Sequence, residues 1–330
     1  MAPTDPVSLN GDEPTLDTQS LFAIMFPNAN MRQAEMLSSK RRFVHYTSAE
    51  AAVKIIRTKT VWLRNVRVMN DSSEVQHGLE CLVDAWGGPC AAGIKSVLEA
   101  LHPGGLDRFH AFFDGAVWAL KHETYIICLS EHIPETEDRL GRLSMWRAYG
   151  RSGGVALVMN TAPFFGDSDA LKAYTTPVAY FSKDEFAAEI ERLSNSMVEN
   201  ISQLKKLNES HFHHLVFSAF RFALLSAKHP GFREEREWRV VHNPTLDKSE
   251  KVQIEIEIVN GIPQPVCKIR LENDSSVGLL GLELNELLDR VIIGPTAYPG
   301  PMFTAFCTLL REAGVSEPES RVFVSTIPVR

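Results

Sequence analysis

The sequence carries no GxxxxGK[ST] phosphate loop, no GxGxxG following a strand and no HExxH, so the commonest nucleotide-hydrolase, dehydrogenase and zinc-protease signatures are missing. Cysteine is scarce. Cys81, Cys90, Cys128, Cys267 and Cys307 are an odd number, widely spaced and without a CxxC pair, which speaks against a disulfide framework and a Cys-rich zinc site. Positive charge is not in excess either: 34 Lys and Arg against 41 Asp and Glu give a net charge of −7. Nucleic-acid binding through overall basicity is therefore not expected, although a local basic groove is compatible with it. No apolar run reaches the roughly 20 residues of a membrane helix, and Met1 to Asn10 shows no signal-peptide pattern. With 330 residues, 44% of them hydrophobic and 23% charged, the chain has enough apolar material for a full core. The expectation is a globular cytoplasmic protein with no membrane association.

The pattern along the chain predicts one α+β domain with a mixed sheet and helical insertions. Residues 1–40 read as an N-terminal extension, disordered in part, because the first 18 hold three prolines and little apolar material. A short amphipathic helix lies within 21–36. Residues 41–330 carry the domain. Phe43-Val44-His45-Tyr46 reads as a strand, Thr47 to Glu50 has capping-box spacing, and a second strand covers 60–64. Asn70-Asp71-Ser72-Ser73-Glu74 is a helix start. Helical spacing follows to Leu120, broken at Gly87-Gly88-Pro89 and Pro103-Gly104-Gly105. Compact apolar strands are expected at 124–129 and 154–159, with another strand at 175–181. A long helical insertion spans about 184–227 and splits near Asn208. Strands at 237–242, 252–258, 265–270, 291–293 and 322–325 complete the pattern, with a helix at 303–310 between the last two.

Several polar residues fall at strand ends, where a sheet holds side chains rigidly yet accessibly. His45 and Tyr46 point to opposite faces of the first strand. Such a pair can hold a ribose hydroxyl and stack on a heterocycle, or simply be a hydrogen-bonded histidine beside a core tyrosine. Ser130 and Glu131 follow a buried strand. Trp146 and Tyr149 share a helix face, as a core aromatic pair or as the wall of a site. Arg147 and Arg151 beside a Gly-rich turn suit an anion or a solvated edge. Glu235 and Glu237, if both lie in a strand, share one face and place Arg236 and Trp238 on the other. Paired carboxylates can polarise a nucleophile and stabilise a developing cation, and a charged strand edge would have the same spelling. His211, His213 and His214 lack metal-site spacing and read as a solvated helix face.

Taken together, the blocks around Phe43-Val44-His45-Tyr46-Thr47, Trp62…Asn65…Met69-Asn70-Asp71…Glu74, Ile127 to Glu131, Met145 to Gly150 with Gly153-Gly154, and Lys228…Glu235-Arg236-Glu237-Trp238-Arg239 resemble the bacterial domain of unknown function 2971 family over about residues 42–300. The order of a first-strand His, an aromatic or Ser at a later strand and a late acid-x-acid pair is also distantly similar to ADP-ribosyltransferases. That resemblance implies an ADP-ribosyltransferase-like fold and an NAD-dependent ADP-ribosyltransferase or NAD glycohydrolase, with NAD as substrate, a macromolecular acceptor (protein or nucleic acid) and no metal. It further implies that His45 bonds the ribose, Tyr46 or Trp62 stacks on nicotinamide and Ser130 braces the acid. Glu237 would hold the ribose hydroxyl beside the cationic centre and Glu235 would steer or deprotonate the acceptor. Asn70 and Trp146 would join the pocket, with Arg64 or Arg147 near an anionic group. The alternatives are a non-catalytic nucleotide-sensing or interaction module and a metal-assisted phosphodiesterase using Asp71, Glu74, Glu131 and Glu237. All readings with one site require these scattered residues to converge on one cleft at the strand ends, with His45 and Glu237 lining the same cavity and not on opposite faces of the sheet.

Overall fold

The computed structural model describes residues 18–69, 72–150, 153–259 and 261–328. Expectations placed on the first 17 residues and on Asn70, Asp71 and Arg151 lie outside these.

The β-branched runs build one mixed ten-stranded sheet. Its strands are β1 (Arg42–Ser48), β2 (Thr60–Asn65), β3 (Tyr125–His132), β4 (Gly154–Met159) and β5 (Tyr174–Pro177). Beyond a separate two-stranded pair, β6 (Ala179–Tyr180) with β7 (Ala227–Lys228), the sheet continues with β8 (Glu237–His242), β9 (Val252–Val259), β10 (Ile262–Arg270), β11 (Leu288–Ile293) and β12 (Val322–Val324). The spatial order is β12-β11-β4-β1-β3-β2-β10-β9, and β8 pairs with both β3 and β5. The protein is thus an α+β fold. The run expected as one strand at 175–181 is two short ones, and the expected helix at 21–36 is broken before Pro27 into α1 (Thr18–Met25) and α2 (Pro27–Ser38), because proline's fixed φ and missing N–H suit a helix start rather than an interior.

Each face of the sheet has its own core. On one face, α4 (Ser72–Gly87), α5 (Ala92–Leu101), α6 (Gly105–His122), α8 (Lys183–Glu199) and α9 (Glu209–Ser226) bury Leu82, Phe109, Phe212 and Phe220 against Ile126 and Val241. α8 begins with a capping box between Ser182 and Glu185, and Asn208 caps α9, so the insertion does split where expected. On the other face, α3 (Ala49–Thr58) and α10 (Pro299–Glu312) cover Phe43, Leu129, Trp238 and Val291. The cap of α3 is Ser48, which accepts the Ala51 N–H at 3.1 Å, one residue later than the Thr47 start predicted. The short α7 (Leu143–Tyr149) lies over β1 and β4, where a Cβ on Gly154 would stand 2.2 Å from the Gly150 Cα. The Gly-rich turn is explained by this close approach.

One irregularity positions the site. β3 pairs with β1 only over Val44↔Ser130 to Arg42↔His132, and with β2 only at Arg64↔Ile126 and Asn65↔Tyr125. Ile127 to Leu129 therefore pair on the β8 side alone. β1 and β2 part along this stretch, joined by α3, and leave a wedge in the sheet.

Candidate functional site

The wedge opens into a cavity of about 400 Å³ lined by His45, Trp62, Arg64, Ser130, Tyr149 and Glu237, among others, within the roughly 300–1,000 Å³ usual for small-molecule sites. Tyr46 and Glu235 also line it. Residues up to 192 positions apart in sequence thus meet on one cavity, but Trp146 and Arg147 do not line it.

Antiparallel partners share a face. The registers Val44↔Ser130 and Ser130↔Glu237, with Cys128↔Arg239, put Ser130, Cys128, Glu237 and Arg239 on the side of the large helical core. His45, one residue from Val44, points to the opposite side. His45 and Glu237 therefore lie on opposite faces of the sheet, contrary to the expectation for a single pocket, and line one cavity because that cavity follows the wedge. His45 sits in that gap with Nδ1 2.9 Å from the Cys128 carbonyl oxygen. A carbonyl only accepts, so Nδ1 carries the hydrogen and Nε2 is left as an acceptor. Burial lowers the imidazole pKa despite that bond, which keeps the ring neutral.

Among the described residues, the charged centre is built from five side chains. Lys228, at the end of β7, places Nζ 2.7 Å from Glu74, 2.8 Å from Glu235 and 2.9 Å from Glu237. Arg239 bonds Glu237 through Nε at 2.8 Å, bonds Glu74, and donates to the Leu225 carbonyl at 2.6 Å. Lys228, Arg239, Glu237 and Glu74 are buried, whereas the Glu235 side chain is 19% exposed. Among these five described residues, three carboxylates face two cations, an excess of one negative charge. Burial alone would raise the Glu237 carboxyl, but Arg239 and Lys228 override it and hold its pKa at about 2. The same acids keep the Lys228 ammonium above its ordinary value in spite of burial.

Glu235 and Glu237 reach Lys228 together by a route other than the one read from sequence. Pro230–Glu235 is a 3-10 turn, Arg236 takes φ +46°, and the strand starts only at Glu237. A left-handed arginine costs roughly 1–2 kcal/mol. It is offset by the Glu131 N–H bond to the Arg236 carbonyl at 2.9 Å and by the Arg236–Glu137 ion pair at 2.6 Å. Ser130 Oγ donates to the Glu235 carbonyl and accepts from Arg142 at 2.9 Å. Arg142 also bonds the Glu234, Glu235 and Glu131 carbonyls and Glu137. Ser130 therefore braces the segment that bears Glu235, with Arg142 as the organiser. A lone arginine before a short helix gives no sequence signal for that role.

Other candidates resolve individually. Tyr46 packs edge-on against Trp146 at 4.8 Å and accepts the Arg142 N–H at 2.9 Å, so its ring is core and only its edge meets the cavity; its phenol is pushed up to about 12, chiefly by burial. Trp146 is core, its indole N–H bound to the Leu140 carbonyl at 2.8 Å. Tyr149 is 39% exposed and forms the open aromatic wall; the two share no packing role. The Trp62 ring is covered by Lys54 Nζ at 3.9 Å. Arg64 donates to Gln264 at 3.3 Å and to the Val68 carbonyl at 2.9 Å, and among the described residues no carboxylate pairs with it. Arg147 is exposed. Glu131 is buried on the other face, held by Arg32, Arg41 and the Trp238 indole, so the four acids of the phosphodiesterase reading are not brought together. His213 is buried beside His102 rather than solvated, with ring centroids 6.0 Å apart.

Lys228 is the residue whose central place the sequence reading left out of the site. The signal available was a lysine ending an apolar helical run just before an acid-x-acid strand. A GxSxG spelling also escaped that reading, from Gly150 to Gly154. It joins a helix to a following strand, the reverse of the strand–turn–helix context in which such a serine becomes a nucleophile, and Ser152 lies outside the described residues.

Residues 145–240 match the family model described as protein of unknown function (DUF2971). Tyr149, Lys228, Glu235, Glu237 and Arg239 lie inside the matched stretch, and His45, Trp62, Arg64 and Ser130 lie before it. No curated protein and no solved structure matches the chain.

Proposed function

We propose that the wedge cavity binds NAD and breaks the bond between nicotinamide and ribose, passing ADP-ribose to a macromolecule or to water. The observation that carries this reading is the meeting of a net negative, largely buried carboxylate group with a neutral imidazole and an open tyrosine on one cavity. In the reaction the electron pair of the C1′–N bond leaves with nicotinamide, and the ribosyl carbon becomes cationic. A pre-formed negative field away from bulk water stabilises that charge without reorganising at the moment of reaction. Glu237, held ionised, is the residue placed for this. Glu235, the more exposed acid, is placed to take the proton released when an acceptor O–H or N–H adds to C1′. His45 Nε2 accepts from a ribose hydroxyl.

The lining also fits the rest of the dinucleotide. Among the described residues Arg64 bonds neutral acceptors alone, which suits it to a pyrophosphate. Tyr149 supplies the free ring face for the nicotinamide, a role sequence reading gave to Tyr46 or Trp62, because the Tyr46 ring is packed in the core and Lys54 lies on Trp62. Nicotinamide release from NAD by the purified protein, measured with and without chelator, tests the reading: release unaffected by chelator is expected, and no release at any acceptor concentration overturns it.

A second reading rests on a specific observation. Both oxygens of Glu237 already have cationic partners, which suits a rigid binding module as well as a catalyst. Such a module would be stabilised by NAD in proportion to the logarithm of ligand concentration over its dissociation constant, with no turnover.

A further inference from the structure

A second cavity, of about 80 Å³, lies where the junction of α1 and α2 meets β5, β6, α8 and α9. At about 15 Å³ for each water-sized centre it holds roughly five heavy atoms. Phe26, Phe181, Phe186 and Phe222 line it, and among the described residues the one charged side chain in the lining is Glu189. Phe26 and Phe222 meet edge-on with centroids 6.1 Å apart, and Arg221 already lies 5.3 Å over the Phe222 ring. The lining hydroxyls of Thr176 and Ser226 bond each other at 3.1 Å. Glu189 is not fully matched. Its side chain is 17% exposed, and Oε2 is buried with no hydrogen-bond partner among the described residues. Arg192 Nη1 stands 2.9 Å from that oxygen but off the hydrogen-bonding direction, on a side chain that is 57% exposed, and exposed pairs of this kind contribute little. Burial outweighs Arg192 and the Asn28 backbone, so the carboxyl pKa is raised.

We propose that this cavity binds the trimethylammonium head of a small free quaternary amine, with the cation among the phenyl rings and beside the Glu189 carboxylate. An uncharged apolar ligand would fill the space and leave a buried carboxylate uncompensated. A primary ammonium would bring three N–H donors that each need an acceptor, whereas four of the walls are hydrocarbon rings. A quaternary ammonium has no N–H to satisfy, spreads its charge over methyl groups and is attracted by aromatic rings. Its size also matches, since nitrogen with four carbons is five heavy atoms. The cavity has room for the head and little more, which favours a free small molecule over a headgroup or side chain carried by a macromolecule. Its lining shares no residue with that of the wedge cavity, so the proposal is independent of the transferase reading.

The test titrates the full chain, without NAD, with choline and with its uncharged carbon isostere dimethylbutanol in a calorimeter at low salt. Choline should bind saturably and at least tenfold more tightly than the isostere, and Glu189→Gln should abolish the difference. Phe181→Leu keeps an apolar wall but removes a ring, so it should weaken choline at least threefold and leave the isostere unchanged. Arg192→Ala removes an exposed competitor for the carboxylate and should bind choline at least as tightly as wild type, which keeps the test open if a buried substitution fails to fold. Circular dichroism of each variant checks its fold. No binding of choline, equal binding of the isostere, choline affinity unaffected by Glu189→Gln in the folded variant, or weaker binding by Arg192→Ala overturns the proposal. Binding of a trimethyllysine peptide or of phosphatidylcholine vesicles without binding of choline overturns it in favour of a macromolecular ligand.

Discussion

His45 and Glu237 act on Cys128 from the two sides of the sheet: the imidazole Nδ1 donates to its carbonyl oxygen at 2.9 Å, and burial together with the Glu237 carboxylate raises the pKa of its thiol. Cys128 is the middle residue of the β3 stretch that neither β1 nor β2 pairs. The imidazole thus takes the place of a missing ladder bond, and burial beside Glu237 keeps the thiol protonated. Cys128 is in this way the hinge point of the site, although nothing in its sequence neighbourhood marks it.

Removing Lys228 should be far more damaging than its exposed neighbours suggest. Lys228→Met would leave Glu74, Glu235 and Glu237 facing one another with Arg239 as the remaining cation of the group. Loss of one partner from a buried ionic group costs about 3–5 kcal/mol. Denaturant titration should show that loss as a lower midpoint, and a change under 1 kcal/mol would mean that the group is hydrated and loosely held.

Trp146 and Tyr149, three residues apart, should separate cleanly. Trp146→Ala empties a site packed by Tyr46, Gly141 and Gly294 and should cost about 3–5 kcal/mol. Tyr149→Ala should change stability by about 0.5 kcal/mol or less, as for a surface position, while weakening NAD binding measured by calorimetry. Equal destabilisation by both would return them to a single core pair.

This contrast shows what was legible. Alternation and helical spacing located nearly every element of the sheet, because strands buried on one or both faces write their period into the sequence. The segment at Glu235 was not legible: acid-x-acid looks like a continuing strand, whereas Arg236 turns into the left-handed region under tertiary contacts from Glu131 and Glu137. The wedge was equally invisible, since it depends on which residues of β3 fail to pair. Glu131 illustrates the converse. Its place after a strand suggested a site acid, yet it faces the other core and ties α2 and Arg41, just before β1, to that face of the sheet.

Arg64→Ala should weaken NAD by about 10-fold or more, the value of a charged hydrogen bond at roughly 1.5–3 kcal/mol, while leaving nicotinamide riboside, which has no pyrophosphate, unchanged. Equal loss for both ligands would take Arg64 away from the pyrophosphate.

Acid should act in two stages. Burial lowers the pKa of His45, His132 and His242 below 6.5, so the unfolded chain binds protons first and stability falls as pH drops below that value. Glu237 is held at about 2, against an ordinary 4.5. Its contribution is fully present above 4.5 and is lost as pH falls toward 2, and the shift amounts to roughly 3 kcal/mol. Stability measured from pH 8 to pH 3 should fall in both windows, and Glu237→Gln should flatten only the lower one.

The most direct measurement is nicotinamide release from NAD by wild type and by Glu237→Gln at matched folded fraction, confirmed by near-ultraviolet circular dichroism. The account predicts release by wild type and at least a 100-fold loss in the folded variant, since removing the charge removes the field that favours the ribosyl cation. Equal release by the two proteins would contradict it and reduce Glu237 to a partner of Lys228 and Arg239 in packing.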